Sequence, residues 1–139
     1  MATTAASAAE LTERLLAATN SHDLESLVGC FAPGFVNETP VHPARSFVGA
    51  EQVRRNWAQI FAGVPDLNAE ILQRSVDGDT VWTEWEMRGT RVDGKPHLMR
   101  GIGIFTAEAG RWRSLRFYLE PVEQGGGGID EAVRGQLTR

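Results

Sequence analysis

The sequence predicts an α+β domain, a half-barrel in which helices cover the concave face of a curved antiparallel sheet and enclose a cavity. Three observations carry this expectation. Amphipathic helical spacing fills the residues before Val64, whereas from Leu67 to Glu120 the pattern alternates with a period of two. Helices segregated from a run of strands indicate the α+β class. The two faces of the alternating region differ sharply in chemistry, as a sheet covered on one side requires.

The elements follow in order. Ser7-Ala8-Ala9-Glu10 has capping-box spacing, and Leu11, Leu15 and Ala18 continue it as a helix over 8–19. Asn20-Ser21-His22-Asp23 breaks the helix with cap chemistry. Leu24, Leu27, Val28 and Phe31 then predict a second helix, which includes Cys30 and stops at Pro33-Gly34. Residues 35–39 form a short strand, and Pro40 and Pro43 make 41–47 a loop. Gly49 precedes a third helix with Val53, Trp57, Ile60 and Phe61 on one stripe, ended by Gly63-Val64-Pro65-Asp66. Residues 67–76 form a strand.

The centre of the chain is a three-stranded meander over 80–90, 97–106 and 111–120, with turn signals at 92–95 and 107–110. Alternation assigns Val81, Thr83, Trp85 and Met87, then Met99, Gly101, Gly103 and Phe105, then Leu115, Phe117 and Leu119 to one apolar face. The other face carries Trp82, Glu84, Glu86 and Arg88, then Arg100, Ile102 and Ile104, then Trp112, Arg116, Tyr118 and Glu120. Gly101 and Gly103 leave room for a void or for sharp bending. After Pro121 the composition changes: Gly125 to Gly128 reads as a flexible linker, so residues 1–124 form one domain and 125–139 a Gly-rich tail.

Composition narrows the function. The chain has 139 residues and a net charge of −4, with no basic run, which argues against nucleic-acid binding. Its apolar stretches are too short to span a bilayer, and its first nine residues lack the features of a signal peptide. The single cysteine, Cys30, rules out an internal disulfide and a Cys-ligated metal site and fits a cytoplasmic protein. The three histidines have no ligand-like spacing and no nucleotide motif is present, so neither a metal nor a cofactor is expected.

Several short motifs carry a resemblance: Asn20-Ser21-His22-Asp23-Leu24, Phe31-Ala32-Pro33, Gly49-Ala50-Glu51, Val81-Trp82-Thr83-Glu84, Gly103-Ile104-Phe105 and Arg116-Phe117-Tyr118. Over residues 11–123 the chain resembles the nuclear transport factor 2-like superfamily, which includes ketosteroid isomerases, limonene-1,2-epoxide hydrolase and SnoaL-like polyketide cyclases. The resemblance implies a cone-shaped half-barrel with a ligand cavity. It also implies that Trp85, Met87 and Phe117 stand where epoxide hydrolases of this type carry an Asp-Arg-Asp set, and that Asn37 and Thr39 fall on the water-holding positions. Against ketosteroid isomerases, Leu15 falls near the helix-one tyrosine, Gly103 near the oxyanion-hole acid, and Thr39 on the general-base aspartate, with Glu38 beside it. Neither machine is intact in this sequence.

Two functional readings are open. In the first, the chain is a cofactor-independent cyclase, isomerase or hydrolase acting on a small apolar molecule of polyketide or terpenoid type. Glu38 would transfer the proton if a one-residue shift aims it into the cavity, with His42 from the adjacent loop or Asn37 assisting. Asn37, Thr39, Trp57, Trp85, Met87, Met99, Phe105 and Phe117 would contact the substrate, while His22 and His97 are expected to be structural or solvated. In the second, the chain is a non-catalytic binder or dimeric accessory domain with an apolar cavity. Either reading expects a homodimer through the mixed aromatic and charged face of Trp82, Glu84, Glu86, Arg100, Arg116 and Tyr118.

Overall fold

The computed structural model describes residues 4–138. Helix α1 (Ala8–Ser21) starts as expected: the Ser7 Oγ accepts a hydrogen bond from the Glu10 N–H at 3.1 Å. It runs two residues beyond the expected end, because His22 takes a left-handed cap at φ 56°. The Asn20-Ser21-His22-Asp23 segment then ties the helices to the sheet. Asn20 donates to the Ala69 carbonyl at 3.0 Å and accepts from the Ala69 N–H at 2.6 Å, acting as a short extra strand for the edge it meets. The His22 Nε2 bonds the Leu67 carbonyl at 2.8 Å, and its ring stacks on Phe61.

Helix α2 (Leu24–Val28) is shorter than the sequence suggests, and strand β1 (Phe31–Glu38) is longer. Phe31 leaves the helix for the strand, and Cys30 lies in the turn between them. The backbone decides this: the Cys30 carbonyl accepts the Trp112 N–H at 2.7 Å, so the chain is already joined to the sheet there. Pro33-Gly34 sits inside the strand as an irregularity between the paired positions Phe31 and Val36, a bulge being where a sheet tolerates proline. Burial pushes the Cys30 thiol pKa up, which keeps it protonated and inert.

After a 3₁₀ turn (Pro43–Arg45) come β2 (Phe47–Val48), α3 (Ala50–Gly63), β3 (Asn68–Asp77), β4 (Thr80–Thr90), β5 (Pro96–Glu108), β6 (Arg111–Pro121) and α4 (Ile129–Leu137). The six strands form one sheet in the order β2-β1-β6-β5-β4-β3. The sheet is mixed, a correction to the all-antiparallel expectation: β1 pairs with β6 in parallel, and the other seams are antiparallel. A parallel seam needs a long crossover, and α3 with the β3–β5 meander supplies it. The first three helices pack on one face and, with the sheet, bury Leu11, Leu15, Leu27, Phe35, Val53, Val81, Trp85, Phe105 and Trp112 in a single core.

Trp112 is a second correction. Alternation places it on the outer face, yet it is fully buried, with its ring 4.8 Å from that of Phe105. Thr106 pairs with Ser114 but Ala107 pairs with Trp112, so Arg113 is an extra residue on β6. One bulged residue turns every side chain before it to the opposite face.

Beyond the Gly125–Gly128 run, the tail forms α4, none of whose residues is buried. Among the described residues no helix is long and apolar enough to cross a membrane.

Candidate functional site

A cavity of about 380 Å³ lies between the concave face of the sheet and helices α1 and α3. The β1 register sets which groups it receives. Phe35 is 1% exposed and anchors the strand, so Asn37 and Thr39 follow it inward while Val36 and Glu38 face out. A one-residue slip would expose Phe35, bury the smaller Val36 in its place and turn the Glu38 carboxylate into an apolar wall, so it loses apolar burial and desolvates a charge.

Glu38 therefore lies on the convex face, where it accepts an ion-paired hydrogen bond from Arg116 at 2.8 Å. The expected proton-transfer role requires the other register, and the geometry does not provide it. The Arg116 guanidinium pKa is held up by Tyr118 and Glu38. His42 is also outside the cavity lining; its Nε2 sits 2.7 Å from the Glu120 Oε1.

The other eight expected site residues come together. Asn37, Thr39, Trp57, Trp85, Met87, Met99, Phe105 and Phe117 all line the cavity. Asn37 and Thr39 are buried, and the Asn37 Nδ2 donates to the Thr39 Oγ1 at 3.1 Å. That bond leaves the Asn37 carboxamide oxygen as an open acceptor in an apolar wall. Trp85 offers no polar group, because its indole N–H donates to the Thr83 Oγ1 at 2.7 Å, which in turn donates to the Gly103 carbonyl at 2.7 Å.

Three further polar side chains line the cavity: Arg45, Asn56 and His97. Two were legible. His97 continues the odd-numbered series of Met99, Gly101, Gly103 and Phe105, so alternation already puts it on the concave face. Asn56 stands three residues after Val53 and four before Ile60, on the same α3 stripe. Arg45 lies in a turn that no periodicity describes. No Asp or Glu lines the cavity, and among the described residues no group of three His, Cys, Asp or Glu side chains is placed to hold a metal ion.

The arrangement can enclose an apolar body, offer amide and hydroxyl hydrogen bonds from Asn37 and Thr39, and present one imidazole, that of His97.

Comparison with known proteins identifies the architecture. A protein-family model described as a SnoaL-like domain matches residues 12–115. Among solved structures, IdmH of Streptomyces antibioticus, a candidate polyketide cyclase, superposes with a TM-score of 0.70 at 24% identity, covering 81% of this chain and 91% of that one. An epoxide hydrolase of limonene-epoxide-hydrolase-like type from M. tuberculosis gives 0.69 at 18% identity, covering 81% and 82%. A protein of ketosteroid isomerase-like fold from Catenulispora acidiphila, solved with trimethylamine, gives 0.67 at 18% identity, covering 78% and 85%. At these identities the likeness speaks to the fold, which 362 solved chains share and which hosts more than one chemistry. No protein of curated function matches the sequence. The family match spans most of the chain and agrees with its curved sheet and three covering helices: this protein belongs to the SnoaL-like domain family.

Proposed function

We propose that the cavity takes a small, largely apolar molecule of polyketide or terpenoid type and that the protein converts it without a cofactor, as a cyclase, isomerase or hydrolase. In this reading His97 is the acid–base group, and Asn37 with Thr39 hydrogen-bonds the ligand's oxygen. The observation that supports it is that His97 stands in a lining that holds no Asp or Glu, so its imidazole is the acid–base side chain at hand there. Proton transfer by a positioned side chain contributes about 100-fold or more. His97→Gln is accordingly expected to lower kcat by about that factor on whichever epoxide, enone or polyketide mimic the wild type converts. An unchanged rate in that variant would remove His97 from the mechanism.

A second reading, a non-catalytic binding domain, draws support from the same scarcity of ionisable groups. Conversion of no compound by a wild type that binds several of them would favour it.

We also propose that the protein acts as a homodimer through the convex face. Cross-strand pairing sets Trp82, Ile104, Arg116 and Glu38 in one row, and Glu84, Ile102 and Tyr118 in the next. Trp82 is 52% exposed on this face. In the row beyond, Glu86 is buried between Arg88 and Arg100, whose Nε lies 2.7 Å away, so its charge is already neutralised within one chain. Aromatic and aliphatic side chains flanked by paired charges suit an interface. Light scattering on the eluting protein is expected to give twice the 15.2 kDa chain mass, with Trp82→Glu shifting it to one chain; a single-chain mass for the wild type at micromolar concentration would reject the dimer.

A further inference from the structure

The cavity has a closed end and an open end. At one end of the sheet, Val81 and Trp112 are 0% exposed. At the other, Met87 pairs with Met99, Met99 with Pro121, and Gly89 with His97, and the Met87, His97 and Met99 side chains are only partly buried. Strand β1 runs parallel to β6, with Glu38 beside Arg116, so Thr39 and the turn after it continue toward that open end. The His42–Glu120 contact holds the turn there. Arg45 and His97 thus belong to the same end, the mouth.

Arg45 is an exposed residue at the cavity's rim, and it lacks the glutamate partner that several arginines of the sheet and helices have. Arg54, Arg74, Arg88, Arg100 and Arg116 each meet a glutamate. The Arg45 side chain lines the cavity and makes no hydrogen bond or ion pair with any described residue. Its backbone is held: the Arg45 N–H donates to the His42 carbonyl at 2.9 Å, the Ser46 N–H to the Pro43 carbonyl at 3.1 Å, and the Thr39 N–H to the Ser46 Oγ at 3.0 Å. Pro43 opens the turn and restricts it further. Asn56 adds a donor nearby on α3, because its Oδ1 is occupied by the Gln52 amide at 2.8 Å, leaving its Nδ2 free to donate.

We propose that Arg45 recognises a carboxylate, so that the ligand is an apolar carboxylic acid whose body fills the cavity and whose acid group sits at the mouth. This rests on the reading of the cavity as a ligand site and names the ligand class for it. A guanidinium pairs with a carboxylate through two parallel hydrogen bonds, and no acid of the protein competes for this one inside the cavity. A phosphate dianion is a poorer match, since the lining contains no second permanently charged cation. The chain's net charge of −4 gives no general attraction for anions, so any preference for an acid must be local.

The test compares 4-phenylbutanoate with its methyl ester, following the fluorescence of Trp57 and Trp85 in the cavity wall. Wild type is expected to bind the acid about tenfold more tightly than the ester, the effect of one well-placed charged hydrogen-bonded pair. Arg45→Gln is expected to bring the acid down to the ester's affinity and leave the ester unchanged, with Arg45→Lys in between. Equal wild-type affinities, or an acid preference that survives in Arg45→Gln, overturns the inference while the cavity reading stands. If neither compound binds the wild type, the cavity reading fails and this inference with it.

Discussion

Gly101→Ala is expected to cost about 3 kcal/mol or more of folding stability, the largest effect of any single-methyl addition to this sheet. Gly101 sits in the middle of β5 at φ 153°, outside the range side chains favour. A Cβ there would lie 2.1 Å from the Tyr118 carbonyl oxygen and 2.6 Å from the Leu119 Cα. Both are backbone atoms of the neighbouring strand, so no rotamer change makes room. The missing side chain is what lets the β6 backbone approach β5 closely at this point. Trp85 and Leu119, the partners of Gly101 on either side, both wall the cavity, so the damage would reach the site. Gly103 is the control. Its nearest obstacles are side chains, the Phe105 ring at 2.9 Å and the Leu115 Cδ1 at 3.3 Å, so Gly103→Ala should cost clearly less. Urea denaturation of the two variants measures the difference; a Gly101→Ala protein as stable as wild type would mean that the close β5–β6 approach does not depend on this residue.

Trp112→Ala is expected to cost about 3 to 5 kcal/mol, the range for removing a fully buried tryptophan. Its ring packs against Phe105 at the closed end of the cone, and Phe31 is its partner across the parallel seam. The indole carries a penalty of its own, however: Nε1 is buried and finds no acceptor among the described residues. An unpaired buried donor costs about 1 to 3 kcal/mol. Trp112→Phe removes that donor while keeping an aromatic ring, so its net loss should fall well below that of the alanine variant and below what its lost volume alone predicts. Chemical denaturation of both variants checks this. Equal losses in the two would show that the N–H is satisfied in solution.

Trp112 also shows where reading by pattern stops. Strict alternation puts it outside, and a single extra residue at Arg113 brings it in. The same rule applied to β1 leaves Glu38 undecided, since its register depends on which neighbour buries Phe35. His97 is the opposite case. Its concave face was legible from the alternation of the residues after it, but a strand's first position beside a turn also suits a solvated histidine, so alternation fixed its face without assigning it a role.

What the sequence by itself determined is therefore the local and periodic part of the protein. Helical spacing marked α1 and α3, two-residue periodicity defined β4 to β6, and the same periodicity assigned Trp85, Met87, Met99, Phe105 and Phe117 to the cavity. These depend on neighbours a few residues away, which the chain spells out directly. The tertiary structure decided what depends on distant partners: the parallel β1–β6 seam, the bulges at Pro33-Gly34 and Arg113, the convex placement of Glu38 against Arg116, and the presence of Arg45 and His97 in the lining of one cavity. Glu38 and Arg116 are 78 residues apart in the chain. Their pairing follows from burying Phe35 and closing the sheet as a whole, because register is chosen by the total burial of both strands and not by any one side chain.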